Sequence, residues 1–283
     1  EWWRTYGLTT KPESGNSVQQ TFDGGYIITG WSGSLHDSSA GRRNVYLLKT
    51  NSRGNLQWQK TFGAEGWDEG SSVIQARDGG YIICGSTTSF GYTSGTTYLI
   101  KTDSNGDLQW QKFPGGGSYN YKYGVDIITA HDNGYVLLNN GSLSKINEDG
   151  SEGWRKDFGS GSSFNDEGSI EKISVFIDGY GVVNQYIIGC TTWSSGNYRG
   201  EDRVGDFYLM NASKNGDLNW EKSFRISKGI EHKGYAVKQT VDRGFIFIGR
   251  LGWDSTNTYL VKTDKNGSLE WQETYNYEEI DKG

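Results

Sequence analysis

Short apolar runs alternate with turn residues along almost the whole chain, and the runs have the period-two pattern of half-buried β-strands. In the clearest stretch, residues 17–30, two such runs flank Asp23-Gly24-Gly25. Glycine accepts the positive φ that a tight turn needs, so this arrangement predicts a β-hairpin. A second hairpin is predicted over residues 45–62, where a turn at 51–54 precedes a run containing Trp58.

This pattern of four runs recurs five times, which is the main feature of the sequence. The copies span approximately residues 15–63, 69–115, 121–160, 166–225 and 232–276. Each copy predicts four short strands, a sheet that cannot cover both of its own faces and must pack on its neighbours. We therefore predict an all-β fold, with residues 1–283 forming a single five-bladed β-propeller domain with four-stranded blades.

A tryptophan occupies the same place in the last strand of every copy, and a sixth lies in a matching segment at the N-terminus. The six are Trp3, Trp58, Trp110, Trp154, Trp220 and Trp271. We predict that each wedges between neighbouring blades, since burying such a side chain contributes ~1.5–3 kcal/mol.

The repeat resembles those of secreted bacterial and archaeal β-propeller proteins on two motifs. One reads Asp-Gly-Gly-Tyr-Ile-Ile-x-Gly, found at 23–30, and the other Tyr-Leu-x-Lys-Thr-Asp-x-x-Gly-x-Leu-x-Trp, found at 98–110. The second motif is also similar to the tryptophan-docking motif of quinoprotein-type propellers. The resemblance implies the propeller architecture and an extracellular or cell-surface location. It does not imply the quinoprotein cofactor, because those rings have eight blades and a vicinal disulfide, and this chain has neither; we expect no cofactor.

Residues 1–7 predict an extra outer strand, because they read like residues 56–63 of the first copy. The last copy has its own outer strand around Trp271, so five inner sets of three strands meet six outer strands. If one of the two terminal strands completes the last blade, the other is left to pair with an edge of a neighbouring molecule. The candidate assembly residues are Trp2, Trp3, Arg4, Thr5 and Tyr6 at one end and Trp271, Glu273 and Tyr275 at the other. Alternatively, the spare strand pairs on its own blade or is the remnant of a truncated repeat.

Composition narrows the classes of partner. No apolar run approaches 18 residues, so the sequence predicts no membrane-spanning helix. A net charge of −6 without a basic tract disfavours a nucleic-acid partner.

The chain begins at Glu1, and we expect a mature, processed chain or a domain excised from a larger protein. Cys84 and Cys190 each end an apolar run, which favours buried free thiols.

The loops between the second and third strands and between repeats carry most of the variation, so a recognition site is expected there. Exposed aromatic side chains among serine, asparagine and glycine suit stacking on sugars or contact with another protein. The candidates for ligand binding are Trp31, Trp67, Tyr92, Trp193 and Trp253. The alternative is that these side chains roof the fold and pack on one another.

Carboxylates in the same loops raise the alternative of a glycosidase, which needs two facing carboxylates ~5–9 Å apart. They are Asp68, Glu69, Asp166, Glu167, Glu201, Asp202 and Asp206. Glu-Gly-Ser recurs at 69–71 and 167–169, which favours a structural role. The histidines lack metal-ligand spacing, and the turn at 103–107 lacks the downstream glutamate of an EF-hand calcium loop. We predict no catalytic residue and no metal site.

These features together predict a non-enzymatic extracellular structural or surface protein. We expect it to assemble with itself, into a filament or other polymer, by exchange of a terminal β-strand. The alternative is a module that binds glycans or surface proteins through the aromatic loops, and the third class is a carbohydrate-active hydrolase.

Overall fold

The computed structural model describes residues 2–7, 12–33, 42–114, 124–130, 132–139, 141–158, 175–178, 181–193, 205–224, 232–251 and 257–275. Over these ranges the chain is all β, with 20 strands in five antiparallel sheets of four strands each, and no helix. None of these segments is a helix able to span a membrane. The predicted all-β class and the division into five four-stranded units are confirmed.

In every sheet the strands lie in chain order, so each sheet is built from consecutive hairpins. The first sheet contains β1 (Glu13–Gln20), β2 (Tyr26–Gly33), β3 (Arg43–Thr50) and β4 (Leu56–Phe62). The second contains β5 (Asp68–Gln75), β6 (Tyr81–Thr87), β7 (Thr96–Thr102) and β8 (Leu108–Lys112). The third contains β9 (Gly124–Thr129), β10 (Tyr135–Asn139), β11 (Ser142–Ile146) and β12 (Glu152–Asp157).

The last two sheets follow the same order. The fourth contains β13 (Val175–Asp178), β14 (Gly181–Trp193), β15 (Gly205–Ser213) and β16 (Leu218–Phe224). The fifth contains β17 (His232–Gln239), β18 (Phe245–Leu251), β19 (Thr258–Thr263) and β20 (Leu269–Tyr275). The chain divides into two compact units, one of Glu1–Asn139 with Ser144–Gly153 and one of Asn140–Leu143 with Trp154–Gly283.

The middle strands of the sheets are more buried than the last strands. All seven residues of β7 and all five of β10 and β11 are buried, whereas all seven residues of β20 are exposed. β7 is rich in β-branched and aromatic residues, which suit a sheet covered on both faces.

Apolar faces of neighbouring sheets pack on each other within each unit. In the first unit, Ile27 and Leu47 of the first sheet meet Tyr81, Ile83 and others of the second, and a further cluster joins the second and third sheets. In the second unit, Phe207 and Leu209 of the fourth sheet pack with Phe247 and other residues of the fifth. Cys84 and Cys190 are both buried and free, as predicted, and burial raises the pKa of each thiol.

A buried lysine lies beneath the first hairpin turn in four of the five sheets. Lys49 donates from Nζ to Asp23 Oδ2 at 2.9 Å, to the carbonyl of Thr50 at 2.8 Å and to Gln57 Oε1 at 2.9 Å. Equivalent ion pairs join Lys101 to Asp78, Lys145 to Asp132, and Lys262 to Asp242. These lysine side chains are 3–9% exposed, and a buried ammonium is tolerated only when it is paired and hydrogen-bonded.

The fourth sheet replaces this charged network with a neutral one. Asn211 stands in place of the lysine and donates from Nδ2 to Gln185 Oε1 at 3.1 Å. Asn219 in turn donates to Asn211 Oδ1 at 2.7 Å. An amide thus replaces the ammonium at this position, and its described hydrogen bonds are made to neutral side chains.

The ion pairs make stability depend on acid. The bond from Lys49 lowers the pKa of Asp23 from 3.8 to about 2, and the bond from Lys262 also lowers the pKa of Asp242. A carboxyl whose pKa is lower in the folded state stabilises the fold above its unfolded pKa and loses that contribution as pH falls. We expect the free energy of unfolding, measured by urea denaturation, to decline between about pH 4 and pH 2. The double variant Asp23→Asn, Asp242→Asn should show a shallower decline; a slope equal to that of the wild type would contradict this account.

Candidate functional site

A tryptophan packed on a hairpin glycine is the contact that the structure repeats most often. The acceptor is the glycine of the turn before the last strand of a sheet, and the indole comes from the preceding sheet or, for the first sheet, from the N-terminal segment. The five pairs are Trp2 on Gly54, Trp58 on Gly106, Trp110 on Gly150, Trp154 on Gly216, and Trp220 on Gly267. We call each pair a docking contact and its glycine the acceptor.

Only glycine fits the acceptor position. The five acceptors have φ between 72° and 82°, in the left-handed region. A β-carbon on any of them would lie 2.4–3.1 Å from the nearest indole carbon. In three of the contacts, those of Trp2, Trp58 and Trp220, the indole also meets the aromatic residue that opens the second strand of the acceptor sheet. Trp58 lies edge-on to Tyr81, with ring centroids 5.6 Å apart, and Trp2 lies edge-on to Tyr26 at 5.8 Å.

A lysine two residues after each docked tryptophan completes four of the five contacts. Lys60, Lys112, Lys156 and Lys222 each place a side-chain carbon against the acceptor glycine. Two of them also reach a carboxylate just after the acceptor: Lys60 Nζ lies 2.8 Å from Asp107 and Lys156 Nζ 2.7 Å from Asp217.

The N-terminal segment docks differently from the prediction. Residues 2–7 form no strand, and it is Trp2, not Trp3, that occupies the acceptor Gly54. Trp3 is 82% exposed, so its predicted role as a blade tryptophan is wrong. Aligning Tyr6-Gly7 with Phe62-Gly63 in the sequence pairs Trp2 with Trp58 and would have identified the correct residue. Side chains, not a β-ladder, hold the segment: the Tyr6 hydroxyl donates to the carbonyl of Gly54 at 2.6 Å.

Trp271 differs from the other last-strand tryptophans. It is 41% exposed, whereas Trp58, Trp110, Trp154 and Trp220 are half-buried. All five acceptor glycines lie in described residues, and each is contacted by another tryptophan. The position two residues later holds Glu273 where the other strands have lysine. We call Trp271 and the five docked tryptophans donors; the described residues thus include six donor tryptophans but five acceptor glycines.

At the loop end of the first unit, an arginine lies between two of the predicted ligand-binding tryptophans. The Arg43 guanidinium carbon is 4.7 Å from the Trp31 ring centroid and 4.5 Å from that of Trp67. Arg43 also pairs with Glu69 at 3.2 Å, and Glu69 accepts from Asn16 Nδ2 at 2.9 Å. Arg43 is not among the predicted site residues, because its stacking depends on Trp67 of the next sheet.

The ring of Trp67 remains accessible on this cluster. Its backbone is fixed on both sides: the nitrogen donates to Thr88 Oγ1 at 2.7 Å and the carbonyl accepts from Thr88 N at 2.8 Å. The side chain is nevertheless 52% exposed. Trp67 is therefore a rigid aromatic surface beside a carboxylate, an amide and a guanidinium.

Of the other predicted ligand-binding residues, Tyr92 is the one whose side chain lies in the described part of the chain. Tyr92 packs on Phe113, with ring centroids 5.1 Å apart, and Phe90 and Tyr98 contact the same phenylalanine. At this position the alternative of an aromatic roof is confirmed. The backbone of Trp193 ends β14, but its side chain, like the whole of Trp253, lies outside the described residues.

The loop carboxylates that the structure describes are engaged in structural contacts. Asp68 is fully buried and accepts from Thr87 Oγ1, from Ser89 Oγ at 2.9 Å and from the nitrogen of Ala64 at 3.0 Å. Burial raises the pKa of Asp68, and these hydrogen bonds oppose that rise. Asp166, Glu167, Glu201 and Asp202 and the side chain of Asp206 lie outside the described residues. In the part of the chain that is described, no group of three acidic, histidine or cysteine residues is arranged to hold a metal ion.

A cavity of about 140 Å³ lies at the turn end of the first unit. Its lining residues are Arg77, Asp78, Lys101, Gln109, Thr129, Gly134, Tyr135 and Glu148. Lys101 is bonded to Asp78 and to Gln109, and Arg77 to Asn133. Most of its charged lining is thus already paired within the protein.

No family model and no curated protein matches the chain. Among solved structures, it is similar to a protein of unknown function from Bacteroides caccae, with 12% identity over 93% of this chain and 82% of that one, at a TM-score of 0.49. A protein of unknown function from Dyadobacter fermentans is similar at 9% identity over 96% of this chain and 71% of that one, with a TM-score of 0.47. A glycosyl hydrolase from Bacteroides ovatus is similar at 10% identity over 94% of this chain and 85% of that one, with a TM-score of 0.39. What this chain does is therefore inferred from its own contacts.

The docking contact is testable with two glycines of matched backbone conformation. Gly106 (φ 80°) carries Trp58, whereas Gly79 (φ 84°) has no atom within 4 Å of where its β-carbon would be. Gly79→Ala should cost about 1 kcal/mol of unfolding free energy from backbone strain alone. Gly106→Ala should cost about 2–4 kcal/mol, because it also displaces the indole. Urea denaturation of the two variants measures both costs, and equal losses would mean that the docked tryptophan contributes little.

Proposed function

We propose that the five sheets are the five blades of a β-propeller. Each sheet has four antiparallel strands in chain order, and apolar faces of consecutive sheets pack together within both units. The repeated docking contact also ties the last strand of one sheet to a turn of the following one. These features are typical of propeller blades.

We infer further that the protein is a non-enzymatic, extracellular or cell-surface structural component that assembles with itself. The resemblance of its repeats to secreted propeller proteins supports that location. The engagement of Asp68 and Glu69 in structural hydrogen bonds and ion pairs supports a non-catalytic role.

The observation that carries self-assembly is the surplus of one donor tryptophan. Trp271 is exposed on a strand whose seven residues are all exposed, and it lies among Leu269 (49% exposed) and Tyr275 (50%). An exposed last strand offers both an unpaired backbone edge and an apolar surface to another chain. Because the N-terminal segment is docked on its own chain, the C-terminal strand is the one left to donate.

Self-assembly is tested by multi-angle light scattering and negative-stain electron microscopy of the intact chain over a range of concentrations. We expect oligomers or filaments that grow with concentration and are lost in Trp271→Ala. Trp3→Ala, which removes an exposed indole that lies on none of the five acceptors, is the matched control and should assemble like the wild type. A chain that stays at 31.5 kDa at every concentration would overturn the proposal.

A second candidate function, glycan binding, is favoured by Trp67. A rigid, exposed indole suits stacking on the apolar face of a pyranose ring, and Glu69, Asn16 and Arg43 provide groups that hydrogen-bond to hydroxyls. The net charge of −6 favours a neutral glycan over a sulfated or uronic-acid one.

This second function is tested on a glycan array, followed by calorimetric titration of the strongest neutral oligosaccharide. We expect Trp67→Ala to weaken binding at least about tenfold, a loss of about 1.4 kcal/mol, and Trp3→Ala to leave it unchanged. Binding that is insensitive to Trp67, or an array without a signal, would exclude this site.

A further inference from the structure

We propose that β20 docks on the turn Asn51–Asn55 of a second copy of this chain, with Trp271 on the acceptor Gly54 and Glu273 paired with Arg53. The inference rests on the proposed self-assembly and names the surface that receives the donor strand. In this arrangement the N-terminal Trp2 occupies Gly54 only until Trp271 of the second copy displaces it.

The donor strand β20 has the tryptophan that a docking contact requires, but the residue two positions later has the opposite charge from that of the other donor strands. Trp271 is followed two positions later by Glu273, where Lys60, Lys112, Lys156 and Lys222 follow the docked tryptophans. Two of those lysines pair with a carboxylate just after the acceptor glycine. A glutamate at this position instead requires a cation on the receiving turn.

The turn at 51–55 is the receiving surface with the matching charge. The residue directly before its acceptor glycine is Arg53, and this side chain is exposed. None of the other four turns has a cation at this position; their residues are Asn105, Asp149, Asn215 and Asn266. After its acceptor it carries Asn55, so it lacks the carboxylate that Asp107 and Asp217 offer to a lysine. This turn therefore disfavours a lysine-bearing strand and favours Glu273.

The present occupant of Gly54 is held less completely than the docked tryptophans elsewhere. Trp2 is 44% exposed although its ring lies on Gly54 and Tyr26. The residue two positions after it is Arg4, which has the same charge as Arg53 and donates to the carbonyl of Trp3 instead. The segment also lacks the backbone pairing that gives β20 its fixed shape on β19. A strand that is already ordered loses less entropy on docking.

The donor strand β20 and the acceptor turn 51–55 are different segments of the chain, so the contact between two copies is heterologous. Such contacts build rings or open filaments rather than closed dimers. The surface therefore predicts the filament or other polymer expected for this protein.

The experiment is a charge swap between copies, read out by sedimentation velocity on the intact chain. Arg53→Glu alone sets two carboxylates against each other across the contact, and Glu273→Lys alone sets two cations against each other. Each single variant should therefore assemble at least about tenfold more weakly than the wild type. Mixed in equal amounts, the two variants offer opposite charges in both directions, and we expect assembly to return. The double variant Arg53→Glu, Glu273→Lys restores the opposite charges within one sequence and should also assemble.

A second pair of variants tests whether Trp2 competes with the incoming Trp271 for Gly54. Trp2→Ala vacates Gly54 and removes the competitor of the incoming Trp271, so it should strengthen assembly at least about tenfold. Trp3→Ala removes the neighbouring exposed indole without vacating the acceptor and should leave assembly unchanged. Equal assembly of these two variants would mean that Trp271 does not use Gly54.

The other outcomes separate this inference from the proposed function. If both charge variants assemble like the wild type, the chain self-assembles but the turn 51–55 is not its receiving surface. If the double variant is restored but the mixture is not, the contact closes within one chain and the inter-chain inference is wrong. If the wild type does not assemble at any concentration, the proposed self-assembly is overturned, and this receiving surface with it.

Discussion

The fold depends on an indole lying against backbone that has no β-carbon. A four-stranded sheet leaves both faces in need of cover, and the apolar clusters between consecutive sheets provide that cover only if the sheets keep their register. The tryptophan of a last strand sets this register, because it fits a single left-handed glycine and one aromatic ring of the sheet that follows. The two partners come from different repeats, so each repeat is completed by its neighbour.

A second, electrostatic tie acts within each sheet. The buried lysines stabilise the turn before the second strand, since each pairs with the turn aspartate and also donates to a backbone carbonyl. That carbonyl belongs to the end of the third strand for Lys49, Lys101 and Lys262, and to the turn residue Asn133 for Lys145. The fourth sheet shows that hydrogen bonding is what the position requires, not charge: Asn211, Gln185 and Asn219 satisfy one another without an ion. With Asn211 in place of the lysine, this position has no buried ammonium that would need a counterion.

The periodic part of the molecule was predictable from the sequence and the long-range part was not. Strand number, strand order, turn positions and buried cysteines follow from a local pattern repeated five times. Trp2 was assigned incorrectly because Trp2 and Trp3 are adjacent and only the register of Tyr6-Gly7 distinguishes them. The stacking of Arg43 depends on Trp67, 24 positions away in the next sheet. Tyr92 packs on Phe113, which directly follows β8, a contact with no local periodicity.

The two buried cysteines provide a way to measure local unfolding of each compact unit separately. Cys84 lies in one compact unit and Cys190 in the other, and both are free and buried. Burial raises the pKa of Cys190 to about 12, so the reactive thiolate is scarce while the surrounding sheet is closed. Alkylation of each thiol therefore reports opening of its own unit. Mass spectrometry of the two cysteine-containing peptides would show in a single time course whether the units open together or in sequence.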